Sequence, residues 1–168
     1  LPPPYSEHPG SIFFKEANEV YQVSNRATQE QRQVALYWAD DPLKTPTPAG
    51  HWVFIAGDLL QQRKATLAQA AQTYAQLNLA MSDAFIAGWK TKYTVNLMRP
   101  VTYVQLVIDS NWVPTLMHTP PFPEYPSGHS VQSSAAAGIL DAVLGANQPF
   151  VDNTHNDRGW GPRTFTSF

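Results

Sequence analysis

The chain has 168 residues, which is long enough to bury one substantial hydrophobic core. Its formal net charge of −2, with both signs scattered, excludes the basic surface typical of proteins that bind nucleic acid or anionic lipid. The chain has no cysteine, which excludes disulfide and thiol chemistry, and no apolar run reaches membrane-spanning length. These features predict a single domain over residues 1–168 whose chemistry depends on a local site.

Helical patterns dominate the first part of the chain. Residues 1–10 contain four prolines and are predicted to be extended. Apolar residues at helical intervals predict a helix from residue 11 to about residue 26. The capping-box pattern that opens at Thr28 predicts a second helix, which runs to Trp38. A proline-rich loop is expected over residues 40–50, and a third helix from residue 51 to about residue 63.

The second part of the chain is also predicted to be helical. A capping-box pattern at Thr66 opens the longest predicted helix. Its end is predicted to lie between Trp89 and Asn96. Residues 101–108 are apolar and β-branched, and we predict a helix there because no partner strand is evident elsewhere. Proline-rich residues 112–125 and residues 149–168 are predicted to be loops. The fold class predicted from these patterns is all-α.

A short motif, Pro126-Ser127-Gly128-His129-Ser130, precedes an alanine-rich run. Proline disfavours helix at the residue before it and serine is a favourable N-cap, so a helix is predicted to start at Ser127 and to end near Gly145. The unpaired N–H groups and positive dipole of a helix start bind oxyanions. His129 would lie beside such an anion as a proton donor or acceptor. The alternative is an ordinary turn with a solvent-facing histidine.

Four residues share one face of the longest predicted helix: Trp89, Lys92, Asn96 and Arg99. Lys92 and Arg99 would stand two turns apart, about 10 Å along the axis, and Pro100 would end the helix. Two cations on one face repel each other unless a negative group lies between them, which predicts an anion site. The alternative is a pair of solvated surface charges.

These two motifs resemble a known family. Lys92 followed by Arg99-Pro100, and then Pro126-Ser127-Gly128-His129, is similar to the first two of three signature motifs of the vanadium-dependent haloperoxidases. Those enzymes share a helical fold with the type 2 phosphatidic acid phosphatases. The resemblance covers nearly the whole chain and is greatest to the bacterial haloperoxidase-related group. It implies a helical bundle of this type, with vanadate as the cofactor and phosphate able to occupy the same site.

The resemblance also implies roles for individual residues. His129 would be the acid–base residue, and Lys92 would polarise the bound peroxide. Trp89 and Phe122 match positions that line the halide side of the pocket in fungal chloroperoxidases. The groups implied to bind the oxygens of vanadate or phosphate are Lys92, Arg99, Ser127 and the backbone N–H of Gly128.

The third signature motif of the family lies in no part of residues 1–168. That motif, Ser-Arg-x3-Gly-x-His, supplies a further arginine and the histidine that coordinates vanadium or, in the phosphatases, attacks phosphorus. We expect it beyond Phe168, so that the fold is cut short at its C-terminus. The histidines that do not fit the motif are His8, His51, His118 and His155.

Three functional hypotheses follow from the sequence. The first is a haloperoxidase that oxidises halide with hydrogen peroxide to a hypohalous species, which then halogenates a small organic substrate. The second is an acid phosphatase that hydrolyses phosphate monoesters; the bulky apolar side chains of Trp89 and Phe122 favour the peroxidase. The third is a non-catalytic fragment that binds oxyanions. A homo-oligomer and a secreted or periplasmic location are compatible with the sequence and stay open.

The remaining histidines, Trp52 and residues 152–157 are not predicted to be catalytic. His51 and Trp52 are predicted to be packing or capping residues rather than ligands. His118 precedes a proline-rich loop and could approach the pocket. Residues 152–157 lack the glycine and glutamate of a calcium-binding EF-hand loop, which excludes that motif and leaves a looser cation site open.

Overall fold

The computed structural model of the protein describes residues 1–41, 45–114 and 119–168. Within these residues it contains six α-helices, one 3₁₀-helix and two short strands. The predicted all-α fold class is confirmed, since helices form almost all of the regular structure. In chain order the elements are α1 (Ile12–Arg26), α2 (Gln29–Tyr37), α3 (Thr47–Gln62), α4 (Leu67–Val95), α5 (Pro100–Val107), α6 (Gly128–Leu144), β1 (Phe150–Asp152), the 3₁₀-helix Asn156–Arg158 and β2 (Arg163–Phe165).

The chain divides into two compact units. The first unit comprises Leu1–Leu36 and Lys90–Pro126, and the second comprises Tyr37–Trp89 and Ser127–Phe168. Each unit has its own cluster of buried hydrophobic residues. The single domain expected over residues 1–168 stays a prediction.

In the first unit, α1 packs against α5. The side chains of Phe13, Ala17 and Tyr103 form the buried centre of this contact. The hydroxyl of Tyr103 donates a hydrogen bond to the backbone oxygen of Ser6 at 2.6 Å, so the extended N-terminal segment is held onto the helix pair. The predicted first helix is confirmed, and Ser11 caps it by accepting a hydrogen bond from the backbone N–H of Phe14.

In the second unit, α3 packs against α6. The indole N–H of Trp52 on α3 donates to the hydroxyl of Ser133 on α6 at 2.9 Å, which satisfies a polar group inside an apolar contact. The packing role predicted for Trp52 is therefore confirmed. The buried residues of this core are Trp52, Ile55, Ala56, Leu59, Leu77, Met81, Ala136, Leu140 and Phe150.

Both predicted capping boxes are present and start the expected helices. At α2 the backbone N–H of Thr28 donates to Gln31 Oε1 at 2.9 Å, and the N–H of Gln31 donates back to Thr28 Oγ1 at 3.2 Å. At α4 Thr66 and Gln69 make the same reciprocal pair, at 2.9 and 3.3 Å. Each box satisfies two N–H groups that the first helical turn leaves without a partner.

Two predicted loops contain regular structure. Helix α3 begins at Thr47 rather than at residue 51, because Pro48 lies in its first turn, where a missing N–H costs nothing. Residues 149–168 were predicted to form a loop, which is wrong in part: β1 and β2 pair antiparallel, with Phe150 opposite Phe165. The rings of this pair stack at 5.0 Å, so a local aromatic contact stabilises strands too short for a clear sequence pattern.

The long helix ends earlier than the Lys92 to Arg99 face requires, so the prediction that both residues lie on α4 is wrong. Helix α4 ends at Val95, and Asn96 adopts a left-handed backbone with φ of 51°. Arg99 has extended backbone and is the N-cap of α5, with Pro100 in the first turn. Pro100 therefore starts a helix, as its fixed φ favours, instead of ending one.

No helix in the part of the chain that the structure describes has both the length and the hydrophobicity needed to cross a bilayer. The prediction for His118 lies outside the described residues.

Candidate functional site

Lys92 lies in the last turn of α4 in the first unit and is only 1% exposed. Its ammonium donates hydrogen bonds to the backbone oxygens of Pro123 at 2.8 Å and of Glu124 at 2.9 Å. The Phe122 ring centroid lies 5.0 Å from Nζ, within the range of a cation–π contact. Burial and the nearby positive charge of Arg99 lower the pKa of Lys92, while the charge of Glu124 acts in the opposite direction.

Arg99 reaches the same segment from the start of α5. Its Nη1 donates to the carboxylate of Glu124 at 2.5 Å, and its Cζ lies 5.1 Å from the Phe122 ring centroid. The Nε of Arg99 is buried and has no hydrogen-bond partner among the described residues. A buried N–H of a charged group without an acceptor is costly, so this atom can bind an incoming acceptor.

Lys92 and Arg99 are therefore not a pair of solvated surface charges. Both cations lie against the ring of Phe122, although they sit on different elements. Two neighbouring cations predict a negative group beside them, and the carboxylate of Glu124 is one. Glu124 lies outside the motifs that predict the site.

In the second unit, α6 starts where the sequence predicts. Ser127 is the N-cap, and its Oγ accepts a hydrogen bond from the backbone N–H of Ser130 at 3.2 Å. Gly128 follows as the first helical residue, and a Cβ at this position would lie 2.9 Å from Cη2 of Trp89. Trp89 in turn stacks on Phe85 at 3.7 Å. Glycine is required here because the indole leaves no room for a side chain.

His129 on the first turn of α6 is half-buried. Its Nε2 is buried and has no hydrogen-bond partner within the described ranges of the chain. The same residue contributes to the wall of a cavity of about 360 Å³ in the second unit, whose other lining includes the rings of Trp38, Trp52, Phe165 and Phe168. His129 is thus not the solvent-facing histidine of the alternative interpretation.

His51 forms a buried cluster with two carboxylates that no sequence motif predicts. Its Nδ1 lies 3.0 Å from the carboxylate of Asp40, and its Nε2 lies 2.8 Å from the carboxylate of Asp152. Burial alone would lower the pKa of His51, but the hydrogen bonds to Asp152 and Asp40 outweigh burial and raise the pKa to about 9. Burial would likewise raise the pKa of Asp152, yet hydrogen bonds from His51 and Thr154 lower it to about 2.

His155 extends the cluster, since its Nε2 lies 3.1 Å from the backbone oxygen of Tyr37. Within the described ranges, one group has metal-ligating geometry: single ligand atoms of Asp40, His51 and His155 lie within 4.8 Å of one another. Hydrogen bonds already account for these atoms, because both ring nitrogens of His51 face carboxylates. The carboxylate of Asp152, in the segment left open as a looser cation site, is likewise bound by His51 and Thr154.

The protein is built mainly of α-helices, as in a helical bundle. Comparison with known proteins identifies its family. Residues 72–110 and 104–163 match the family described as the VCPO second helical-bundle domain. The chain is also 42% identical, with a TM-score of 0.93, to a chain in the crystal structure of the first bacterial vanadium-dependent iodoperoxidase. This protein belongs to the vanadium haloperoxidase family, as its signature motifs predict.

The match to the iodoperoxidase covers 99% of this chain and 42% of that chain. The chain therefore spans less than half the length of the relative that it matches. Comparison with curated protein sequences gives no match.

Proposed function

We propose that the protein is a vanadate-dependent haloperoxidase that oxidises halide with hydrogen peroxide to a hypohalous species. The observation that carries this proposal is the pair of cations at Phe122, in which Lys92 is buried, Arg99 is half-buried and Arg99 Nε has no hydrogen-bond partner among the described residues. Similarity to a bacterial iodoperoxidase supports the same reaction class. A small organic molecule would accept the halogen.

The groups in this chain fit an oxyanion such as vanadate. We propose that Lys92, Arg99, Ser127 and the backbone N–H of Gly128 bind its oxygens. All of these groups are N–H or O–H donors, and a tetrahedral oxyanion presents only acceptors. The orphaned Nε of Arg99 would gain the acceptor that it lacks. Phosphate, with the same shape and charge, would compete, and the vanadium-coordinating histidine of the family is expected outside residues 1–168.

Bound vanadate would supply a Lewis-acidic centre that activates hydrogen peroxide for a two-electron oxidation of halide. The two cations would stabilise the negative charge of the bound oxyanion. Lys92 would hold its positive charge beside the bound oxyanion. His129 would accept the proton released by hydrogen peroxide, and no group among the described residues forms a hydrogen bond with its buried Nε2 that would compete for that proton. Trp89 and Phe122 are the residues proposed for the halide side of the site.

Halide oxidation by the full-length protein loaded with orthovanadate tests this proposal. Iodide and bromide oxidation with hydrogen peroxide is measured for the wild type, Lys92→Met and His129→Ala. We expect His129→Ala to lower kcat by about 100-fold or more, which is the usual contribution of a general acid–base group. The matched control is Lys90→Met, which removes an exposed lysine two residues away on the same helix and should leave the rate unchanged.

The assay also separates the alternatives. A vanadate-loaded wild type that oxidises neither iodide nor bromide would contradict the proposal. Turnover of a phosphate monoester without vanadium, lost in His129→Ala, would instead favour the phosphatase hypothesis. Binding of vanadate without turnover of either substrate would favour a non-catalytic oxyanion-binding protein.

A further inference from the structure

We propose that Glu124 is a positioning residue of the oxyanion site, which orients Arg99 so that the Nε edge of its guanidinium faces the ligand. The inference rests on the proposed function, because it concerns the same two cations. It assigns a role to a residue outside the signature motifs that led to the family.

The segment Phe122-Pro123-Glu124 contacts both cations of the site. The backbone oxygens of Pro123 and Glu124 accept the two hydrogen bonds from the Lys92 ammonium. The carboxylate of Glu124 accepts the hydrogen bond from Arg99 Nη1. The backbone N–H of Glu124 donates to the oxygen of Leu97 at 3.0 Å, which ties the segment to the turn between α4 and α5. One residue therefore contacts both cations, with its backbone and its side chain.

The hydrogen bond to Glu124 determines which nitrogen of the Arg99 guanidinium is available to bind the oxyanion. Arginine carries five N–H donors in a rigid planar fork, so fixing one nitrogen fixes the direction of the others. Glu124 binds Nη1, whereas Nε is buried and has no partner in the part of the chain that the structure describes. The Phe122 ring, 5.1 Å from Cζ, restricts the guanidinium further. An oxyanion can then bind at Nε without breaking the ion pair.

The charge of Glu124 has a second effect on the same site. Lys92 and Arg99 lie against the Phe122 ring and Glu124 pairs with Arg99, so the charges of these three groups sum to +1. The carboxylate offsets the repulsion between the cations and favours the protonated ammonium of Lys92, against the effects of burial and Arg99. Glu124 thus favours a close arrangement of the two cations.

Variants of Glu124 test this role in the full-length protein. The affinities for orthovanadate and for inorganic phosphate are measured by calorimetry, and Tm is measured on the same samples. Glu124→Ala removes the acceptor, and we expect it to weaken the binding of both anions about tenfold, as the loss of one charge-assisted hydrogen bond would. Glu124→Gln keeps an oxygen that can accept from Arg99 and should bind within about threefold of the wild type.

Glu16→Gln is the matched control. Glu16 lines the same small cavity of the first unit as Glu124, but it is exposed and lies on α1. Its substitution removes an equal charge without touching Arg99, so it should leave both affinities unchanged.

Each result decides a separate question. If the wild type binds neither vanadate nor phosphate, the proposed function is wrong and the inference is wrong with it. If the wild type binds and Glu124→Ala binds equally well, with or without a lower Tm, the positioning role alone is wrong. Glu124→Gln binding as weakly as Glu124→Ala would also overturn it, since the hydrogen-bond acceptor would then not be the decisive feature.

Discussion

His51 is fully buried between the carboxylates of Asp40 and Asp152. A protonated imidazole donates from both ring nitrogens, so it satisfies one carboxylate on each side. Neutral imidazole has a single N–H and could donate to only one of these two carboxylates. This explains why the pKa of His51 rises to about 9 in spite of burial.

The raised pKa of His51 makes stability depend on pH. The folded pKa of about 9 exceeds the usual value of 6.5, so the stabilisation is complete below about pH 6.5 and is lost as the pH rises through 9. A shift of this size corresponds to about 3 kcal/mol of the free energy of unfolding. We therefore expect the difference between the wild type and His51→Gln, measured by urea unfolding, to shrink by about this amount between pH 6 and pH 10.

His8→Gln provides the control for this measurement, because His8 is exposed and its hydrogen bonds among the described residues are to its own segment rather than to a buried carboxylate. A constant difference between the wild type and His51→Gln from pH 6 to pH 10 would show that His51 is not charged in the folded protein. Asp152 affects stability at acidic pH instead. Its pKa is lowered from 3.8 to about 2, so the ionised carboxylate stabilises the folded protein above about pH 3.8, and this stabilisation is lost as the pH falls toward about 2.

At the scale of elements, α4 and α6 approach each other closely within the second unit. A Cβ on Gly88 of α4 would lie 3.0 Å from Cγ2 of Val131 on α6. A Cβ on Gly128 would meet the ring of Trp89 at 2.9 Å. Two glycines thus allow the contact at which α6 begins. Gly138, further along α6, has no neighbour within 4 Å of its Cβ position.

This contrast predicts opposite effects of one type of substitution. Gly138→Ala should raise the free energy of unfolding by about 0.5–1 kcal/mol, because alanine costs less backbone entropy in a helix and meets open space. Gly88→Ala makes the same change in helix propensity, but it forces the stiff, β-branched side chain of Val131 to move. It should therefore lower the free energy of unfolding by about 1 kcal/mol. Urea unfolding of both variants tests this, and equal effects would argue against a close contact at Gly88.

At the scale of the whole molecule, the described residues form hydrophobic clusters of unequal size in the two units. Among these residues, the cluster of the first unit contains three buried hydrophobic residues, whereas that of the second contains nine. Stability of the second unit should therefore depend more on its apolar packing. Leu140 is completely buried in that larger core, and Leu79 on α4 is 67% exposed.

The same truncation at these two leucines should have very different costs. Leu140→Ala removes buried methyl groups and leaves a cavity, so it should lower the free energy of unfolding by about 2–5 kcal/mol. Leu79→Ala leaves no cavity and should change it by less than about 0.5 kcal/mol. Chemical denaturation of both variants measures the difference, and similar losses would contradict the position assigned to this core.

Much of the fold was predictable because helix signals are local. Thr66 and Gln69 are three residues apart, and their capping box starts α4 as expected. Ser127 and Gly145 bound α6 for the same kind of reason. The end of α4 was not predictable in this way, since residues 96–99 carry no pattern that distinguishes a continued helix from a turn, and Pro100 suits the start of a helix as well as an end.

The sequence by itself determined the helical class, most helix starts and the family, because these depend on residue types at short spacings. Only the tertiary structure decided the partners of the charged groups. Glu124 lies 25 residues from Arg99, and Asp152 lies 101 residues from His51. Contacts at such separations leave no local pattern, since they arise when burial removes water and each charge must find a partner within the fold.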